Sequence, residues 1–293
     1  MTAALDPVAD VRPLCPVCGW GTPAACVWHR SAACRCVVRC DGCGHRFRCD
    51  PASAWLDASV YDAAYHAHRK TEGRPGFADK ARTARLHLDL LGVARRAASG
   101  VRLLDVGCAT GDFLVAARER GFDVCGVDVA ASAVDAAAAR GLAVQHGAIA
   151  DVADGPFDVV HASHVLEHVP DVGEFVRAAT ALLRPGGVAL IEVPNEFDEA
   201  LAVLQRVRGR RAPARLDAPH VHYFTATSLL WLLEHAGLRV RRLLTYSHRR
   251  PADRALGARA RLRYVEAPNA VLRMADRLGY GRNLVVLAQR GGA

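Results

Sequence analysis

Two groups of residues in this chain have the types and spacing for chemistry. The first is made of thiols. Eight of the 10 cysteines lie between Cys15 and Cys49, and four of them form Cys15-Pro-Val-Cys18-Gly and Cys40-Asp-Gly-Cys43-Gly. Two residues between thiolates let both sulfurs of one tight turn reach a single ion. Two such knuckles complete a tetrahedral S4 shell, which suits Zn(II). Gly19 and Gly44 follow the pairs directly and relieve the backbone at each turn. Disulfides are the competing reading, disfavoured in a cytosolic chain. A redox C-x-x-C pair would explain one knuckle and not two. Cys26, Cys34, Cys36 and Cys49 are surplus, with His29 and His45 nearby, so a ligand swap such as Cys36 for Cys40 stays open. Four protein ligands leave the ion no open position, so the expected role of Cys15, Cys18, Cys40 and Cys43 is structural.

The second group is a glycine loop, Gly107-Cys-Ala-Thr-Gly111, behind the apolar run Val101-Arg-Leu-Leu-Asp-Val106. The spacing is G-x-x-x-G and not the G-x-G-x-x-G of dinucleotide binders, which sets a helix N-terminus on a pyrophosphate. Asp105 places a carboxylate at the loop mouth, where it would repel a pyrophosphate and attract an ammonium group. Asp128 ends the next apolar run, 21 residues beyond Gly107, where an acid takes both ribose hydroxyls. An amino group, a nucleoside ribose and no phosphate describe S-adenosylmethionine (SAM).

The elements that must position these residues are legible. Val101–Val106 and Val124–Asp128 read as buried parallel strands. Asp112–Arg120 and Ser132–Arg140 read as helices that stop at Gly121 and Gly141. The alternation is β-α-β-α, a Rossmann-like unit. Pro185-Gly186-Gly187 is a turn signal before a further strand. Thr225–Gly237 reads as an amphipathic helix closed by glycine, with strands over Leu238–Tyr246 and Asn283–Gln289.

The 293 residues, 51% apolar and 23% charged, fit a globular chain with a real core. No stretch approaches the roughly 20 apolar residues that cross a bilayer, and no signal-peptide pattern opens the sequence. The expected location is cytoplasmic. The net charge of +8 rests almost entirely on Arg, since Lys70 and Lys80 are the only lysines. Spread through the chain, the charge reads as composition more than as a site for an anionic partner. The dense stretch Arg206–Arg215 reads as solvated surface, with a phosphate or carboxylate clamp as the other option.

Four motifs in order carry a resemblance to class I SAM-dependent methyltransferases: Leu103–Gly111, Phe157–His161, His164-Val-Leu-Glu-His-Val169 and Leu183–Ile191. The chain as a whole resembles bacterial members with an N-terminal zinc knuckle, which serve glycan, lipid or specialised-metabolite synthesis. The resemblance implies an α/β Rossmann-like methyltransferase sheet with a small zinc-ribbon module. Residues 1–55 would be that module, 56–98 a helical cover for the cofactor, and 99–293 the methyltransferase domain, with insertions at 196–222 and 247–282. Tyr65 would pack on SAM or dock the module.

SAM would meet Asp105, Gly107, Cys108, Ala109, Gly111, Asp128, Val129, Asp151 and His164. Asp151 departs from the pattern, because members often carry an acid directly after the third strand, where Ala148 stands here. A hydroxyl acceptor must lose a proton, so a base is expected among His164, His222 and His220, while His168 reads as helix capping and packing. The expected partner is a small-molecule, nucleotide-sugar or glycan acceptor, most simply methylated at a hydroxyl. The alternatives are a ribosomal RNA base methyltransferase with a zinc knuckle and a non-catalytic SAM-fold partner protein. Nucleic acid is disfavoured by the near absence of Lys and of aromatic–basic interleaving.

Overall fold

The computed structural model describes residues 13–21, 26–30, 35–48, 76–92, 100–198, 202–203, 207, 220–247, 274 and 277–292. Tyr61 and Tyr65, the whole of Arg206–Arg215 but residue 207, and most of the 247–282 insertion lie outside these. So do Cys34 and Cys49 and the side chains of Cys26 and Cys36.

In chain order the elements are β1 (Cys26–Arg30), β2 (Arg35–Arg39), β3 (Arg46–Arg48), α1 (Gly76–Leu90), β4 (Arg102–Val106), α2 (Asp112–Glu119), β5 (Asp123–Asp128) and α3 (Ala131–Ala138). They continue with β6 (Ala143–His146), β7 (Phe157–Ser163), α4 (Val172–Leu182), β8 (Leu183–Pro194), β9 (His222–Tyr223), α5 (Ala226–His235), β10 (Leu238–Tyr246) and β11 (Asn283–Arg290).

Seven strands form one sheet in the order β10-β11-β8-β7-β4-β5-β6. The five from β8 to β6 run parallel, and β11 alone lies antiparallel to both its neighbours. This is the Rossmann-like α/β sheet that the apolar runs predict. Central strands are covered on both faces, so the fully buried positions of β4 and β7 are apolar but for two. Those two, Asp105 and His161, are therefore informative.

The helices bury stripes against this sheet. In α4 the buried residues are Val172, Phe175, Val176 and Ala179, one face of a 3.6-residue period. Asp171 starts that helix, its side chain accepting from the Glu174 amide at 2.8 Å. Thr225 starts α5, and its side chain and that of Ser228 satisfy each other's backbone N–H.

The turn expected at Pro185-Gly186-Gly187 lies inside β8. Phe157 pairs with Leu183 and Val159 with Val188, so the register jumps and the three residues form a bulge.

A second, four-stranded sheet has the order β1-β2-β3-β9. Its last strand comes from far along the chain: Arg46 pairs with Tyr223 and Phe47 with His222, both antiparallel. The cysteine knuckles share one hydrophobic core with the large domain, where Cys15, Val17, Val38 and Phe47 join Phe224, Leu229 and Leu232. Among the described residues no helix is long and apolar enough to cross a membrane.

Candidate functional site

The glycine loop follows β4 through three left-handed residues, Gly107 at φ 71°, Ala109 at 48° and Gly111 at 78°. The amides of Gly107 and Cys108 donate to the Val127 carbonyl at 2.8 and 3.2 Å, which folds the loop over the end of β5. A left-handed alanine is strained by about 1–2 kcal/mol. It is held there because its N–H donates to Asp128 Oδ2 at 2.7 Å, while Asp128 Oδ1 accepts from Ala130 at 2.8 Å. A carboxylate has about four lone-pair sites. Two backbone bonds leave Asp128 capacity for a diol.

Gly107 is also a close-approach position. A Cβ there would lie 2.5 Å from Val165 Cγ2, so this glycine lets the loop touch the His164–Val169 segment. Gly107→Ala is expected to lower stability by about 1–3 kcal/mol in urea denaturation. Adding Val165→Ala should return the steric part and leave the backbone strain.

Val129 lies exposed beside Asp128. Cys108 is buried, and its thiol packs at Gly126 and lies 3.8 Å from the Ala109 carbonyl. Asp151 caps its own turn, accepting from the Ala148 amide at 2.7 Å. Asp105 is buried, and its Oδ1 accepts from His161 Nδ1 at 2.7 Å. Burial pushes the Asp105 carboxyl up, and the imidazole beside it opposes that rise.

Beyond the C-terminal ends of β7 and β8 lies a cluster of alternating carboxylates and imidazoles. His164 stands between two acids, Nδ1 at 3.1 Å from Glu167 Oε1 and Nε2 at 3.4 Å from Glu192 Oε1. Burial of the ring nitrogens would lower its pKa, but Glu192 and Glu167 outweigh that and lift it well above the ordinary histidine value. The ring edge stays open, with 45% of the side chain accessible, so water screens part of this gain. Glu167 and Glu192 are fully enclosed, and burial alone would raise both. The histidines around them hold them below the usual carboxylate range.

Glu192 also accepts from Ser163 Oγ at 2.6 Å and from the Tyr246 hydroxyl. His220 Nδ1 lies 3.0 Å from Glu196 Oε1, and its Nε2 faces Glu167 Oε1 at 4.0 Å. His168 meets the His220 ring edge-on at 4.7 Å. Glu167 Oε2 is buried with no hydrogen-bond partner among the described residues. Glu167, His168 and His220 offer ligand atoms within 4.8 Å of one another, a set that a cation could use.

Of the three histidines expected as bases, the cluster gathers His164 and His220 and leaves His222 outside. His222 Nε2 donates to the Val169 carbonyl at 2.9 Å, and its Nδ1 meets His45 Nε2 at 3.2 Å. Burial drives its pKa down to about 4. It is neutral but occupied at both nitrogens, so it braces the two sheets and has no nitrogen to offer an acceptor. Sequence reasoning missed Glu192, Glu196, His87, His161 and Tyr246. The available signal was a lone charge or imidazole inside a buried apolar run, as in Val160-His161-Ala162 and Ile191-Glu192-Val193.

In the N-terminal module the sulfurs of Cys15, Cys18, Cys40 and Cys43 all lie within 4.8 Å of one another. The Cys15–Cys43 and Cys18–Cys40 separations are 3.7 and 3.5 Å. Tetrahedral Zn(II) with bonds of about 2.3 Å places its sulfurs roughly 3.8 Å apart. The two knuckles repeat one hydrogen-bond pattern, Gly19 donating to Cys15 and Gly44 to Cys40. The donor set fits the ion.

Residues 54–243 match the family model described as a methyltransferase domain. The ubiquinone biosynthesis O-methyltransferase of Caulobacter vibrioides is 35% identical over 162 residues, covering 52% of this chain and 62% of that protein. The enzyme of the same name from Bordetella avium is 36% identical over 150 residues, 47% of this chain and 62% of its own. The chain thus matches about three fifths of the length of these relatives. A chain from the complex of the Haloferax volcanii Trm112 methyltransferase activator with a methyltransferase superposes with a TM-score of 0.50 at 16% identity. That superposition covers 74% of this chain and 95% of the other, and it is a likeness of fold.

Proposed function

The chain belongs to the methyltransferase-domain family of SAM-dependent methyltransferases, and from that membership we propose that it methylates a hydroxyl of a small molecule or sugar. The carrying observation is the acid–imidazole cluster Glu192–His164–Glu167–His220–Glu196, set against the glycine loop through Val165. Ligands of open α/β sheets bind beyond the carboxyl ends of the strands, where both lie. The hydroxyl preference is supported by the relatives named O-methyltransferases.

SAM supplies an electrophilic methyl group on a sulfonium. Asp105 attracts its ammonium group, Asp128 takes the ribose hydroxyls, and the backbone of Gly107–Gly111 with Val129 fits the nucleoside. The protein's contribution is to align the acceptor oxygen with the S–CH3 bond. The O–CH3 bond forms, the S–CH3 bond breaks with its electron pair going to sulfur, and the acceptor proton leaves to a base. His220 is that base. Glu196 holds its Nδ1, as a carboxylate orients a catalytic imidazole. His164, cationic between two acids, is a donor and orients Glu167. Cys15, Cys18, Cys40 and Cys43 hold a structural Zn(II).

The test is isothermal titration of the zinc-loaded protein with SAM and S-adenosylhomocysteine, repeated with Asp128→Ala. Wild-type binding in the micromolar range, weakened roughly 10- to 100-fold by loss of the charged acceptor, supports the reading. A wild-type chain that binds neither ligand sinks it. Acceptor screening then begins with phenolic and sugar hydroxyls.

A further inference from the structure

A continuous row of buried polar side chains joins the two halves of the site through a residue outside every motif. His161 Nδ1 meets Asp105 Oδ1 at 2.7 Å. His161 Nε2 meets His87 Nδ1 at 2.9 Å. His87 Nε2 lies 3.3 Å from Glu192 Oε2. His87 belongs to α1, His161 to β7, Asp105 to β4 and Glu192 to β8, and none of the four is more than 3% exposed. Phe113 of α2 stacks on the His161 ring with centroids 3.7 Å apart and meets His87 edge-on. The pair is walled from water.

The number of protons on this bridge follows from its contacts. Two of the three junctions are hydrogen bonds, while the contact of His87 Nε2 with Glu192 Oε2 is a charge contact without hydrogen-bond geometry. With both carboxylates ionised, two neutral imidazoles fill the two hydrogen bonds in one way, His161 Nδ1–H on Asp105 and His87 Nδ1–H on His161. That arrangement turns the His87 Nε2 lone pair towards the Glu192 carboxylate. One extra proton replaces this repulsion with an ion pair.

We infer that His161 and His87 share one extra proton between Asp105 and Glu192, and that His87 is a positioning residue which links the cofactor's ammonium subsite to the acceptor side. The extra charge has two seats. In one, His161 is the imidazolium and donates Nε2–H to His87 Nδ1. In the other, that proton has crossed: the His161 N–H bond breaks, the His87 N–H bond forms, and both outer hydrogens stay in place. The subsite assignment rests on the function proposed above, in which Asp105 meets the SAM ammonium. An ammonium beside Asp105 repels the charge from the His161 seat and favours the His87 seat. Glu192 is then drawn to His87 and its hold on His164 relaxes.

Other ionisable groups face the ends of the bridge. Cys108 and Asp128 lie within electrostatic reach of Asp105. His164 and Tyr246 meet Glu192, with Ser163 as a neutral donor. The wall formed by Phe113 carries no charge.

Histidine labelled with nitrogen-15 in the full zinc-loaded chain reads the bridge directly. His87→Gln and His161→Gln assign the signals, and thermal melts confirm that both variants fold. In the free protein one ring of the pair is expected to carry an imidazolium signature at pH 7. SAM or S-adenosylhomocysteine moves that signature from His161 to His87. Glutamine at 87 can still bridge by hydrogen bonds but cannot carry the proton, so the charge stays at His161 and SAM binds about tenfold more weakly. Two neutral rings at pH 7, before and after ligand, would overturn the inference, as would a His87→Gln chain that binds SAM like the wild type. If the wild type binds no SAM, the functional reading falls, while the proton count is still read in the free chain. If SAM binds and Asp128→Ala weakens it but the rings are neutral, the bridge alone falls.

Discussion

Replacing Glu192 by leucine lowers the stability of the fold by about 3–5 kcal/mol, the usual cost of removing one partner from a buried charged cluster. Glu192 is fully buried and answers four groups at once: His87, His164, Ser163 and Tyr246. Leucine fills a similar volume and returns none of those contacts. His164 keeps its contact with Glu167 but loses its second counter-ion, and the His87 end of the bridge faces hydrocarbon. Glutamine is milder, because it keeps an acceptor for Ser163 and Tyr246. Urea denaturation of both variants and of wild type orders them wild type, Gln, Leu. Acid makes the same point without mutation. Burial alone would raise Glu192, yet its histidines hold it well below the ordinary value, so its contribution is present above about pH 4.3 and fades as pH falls below that. The wild type should lose stability steeply below pH 4, and the Leu variant should lose less over the same range. A Leu variant as stable as wild type would mean that Glu192 is not ionised in the fold.

The parallel sheet was legible because each central strand is a short apolar run that stops at chemistry. Asp105 and Asp128 stand out there, and β5 and β7 fall within one or two residues of the predicted bounds. The helix after Thr225 was legible from its cap and its closing glycine. The bulge inside β8 was not, because Pro-Gly-Gly marks a bend and cannot say whether the ladder resumes on the far side. The site divides in the same way. Its cofactor half is local in sequence, a strand end and a loop. Its proposed acceptor half is made by pairs far apart in the chain, with Tyr246 and Glu192 54 positions apart and His220 and Glu196 24 apart. No periodicity encodes such pairs. His222 shows the opposite error: its residue type suggested a base, but its role is set by His45, 177 positions away, once β9 joins β3.

Removing the metal from the cysteine knuckles is expected to free the acceptor segment while sparing the cofactor loop. Structural Zn(II) contributes about 10–16 kcal/mol of apparent binding energy in small zinc-finger peptides, so the knuckles should not hold their geometry without it. Cys40 and Cys43 immediately precede His45 and β3, and β3 is the strand on which β9 lies. The 221–222 segment is gripped from both sides. Arg48 donates its amide to the Val221 carbonyl at 2.9 Å, and the Val221 and His222 amides donate to the Glu167 carbonyl at 2.8 and 3.2 Å. His220, the proposed base, is the residue just before this grip. The glycine loop instead draws its bonds from β5, at Val127 and Asp128. Metal analysis of the purified chain should find one zinc per molecule, and Cys43→Ser should lose it. In the chelated or mutant protein, amide exchange accelerates across 221–223, methyl transfer falls at least 100-fold, and SAM affinity stays within about threefold. The split between binding and turnover separates a positioning metal from a merely stabilising one, which would weaken both together. A chain without zinc, or one whose 221–223 amides exchange alike with and without it, would show that the β3–β9 pairing holds the acceptor segment unaided.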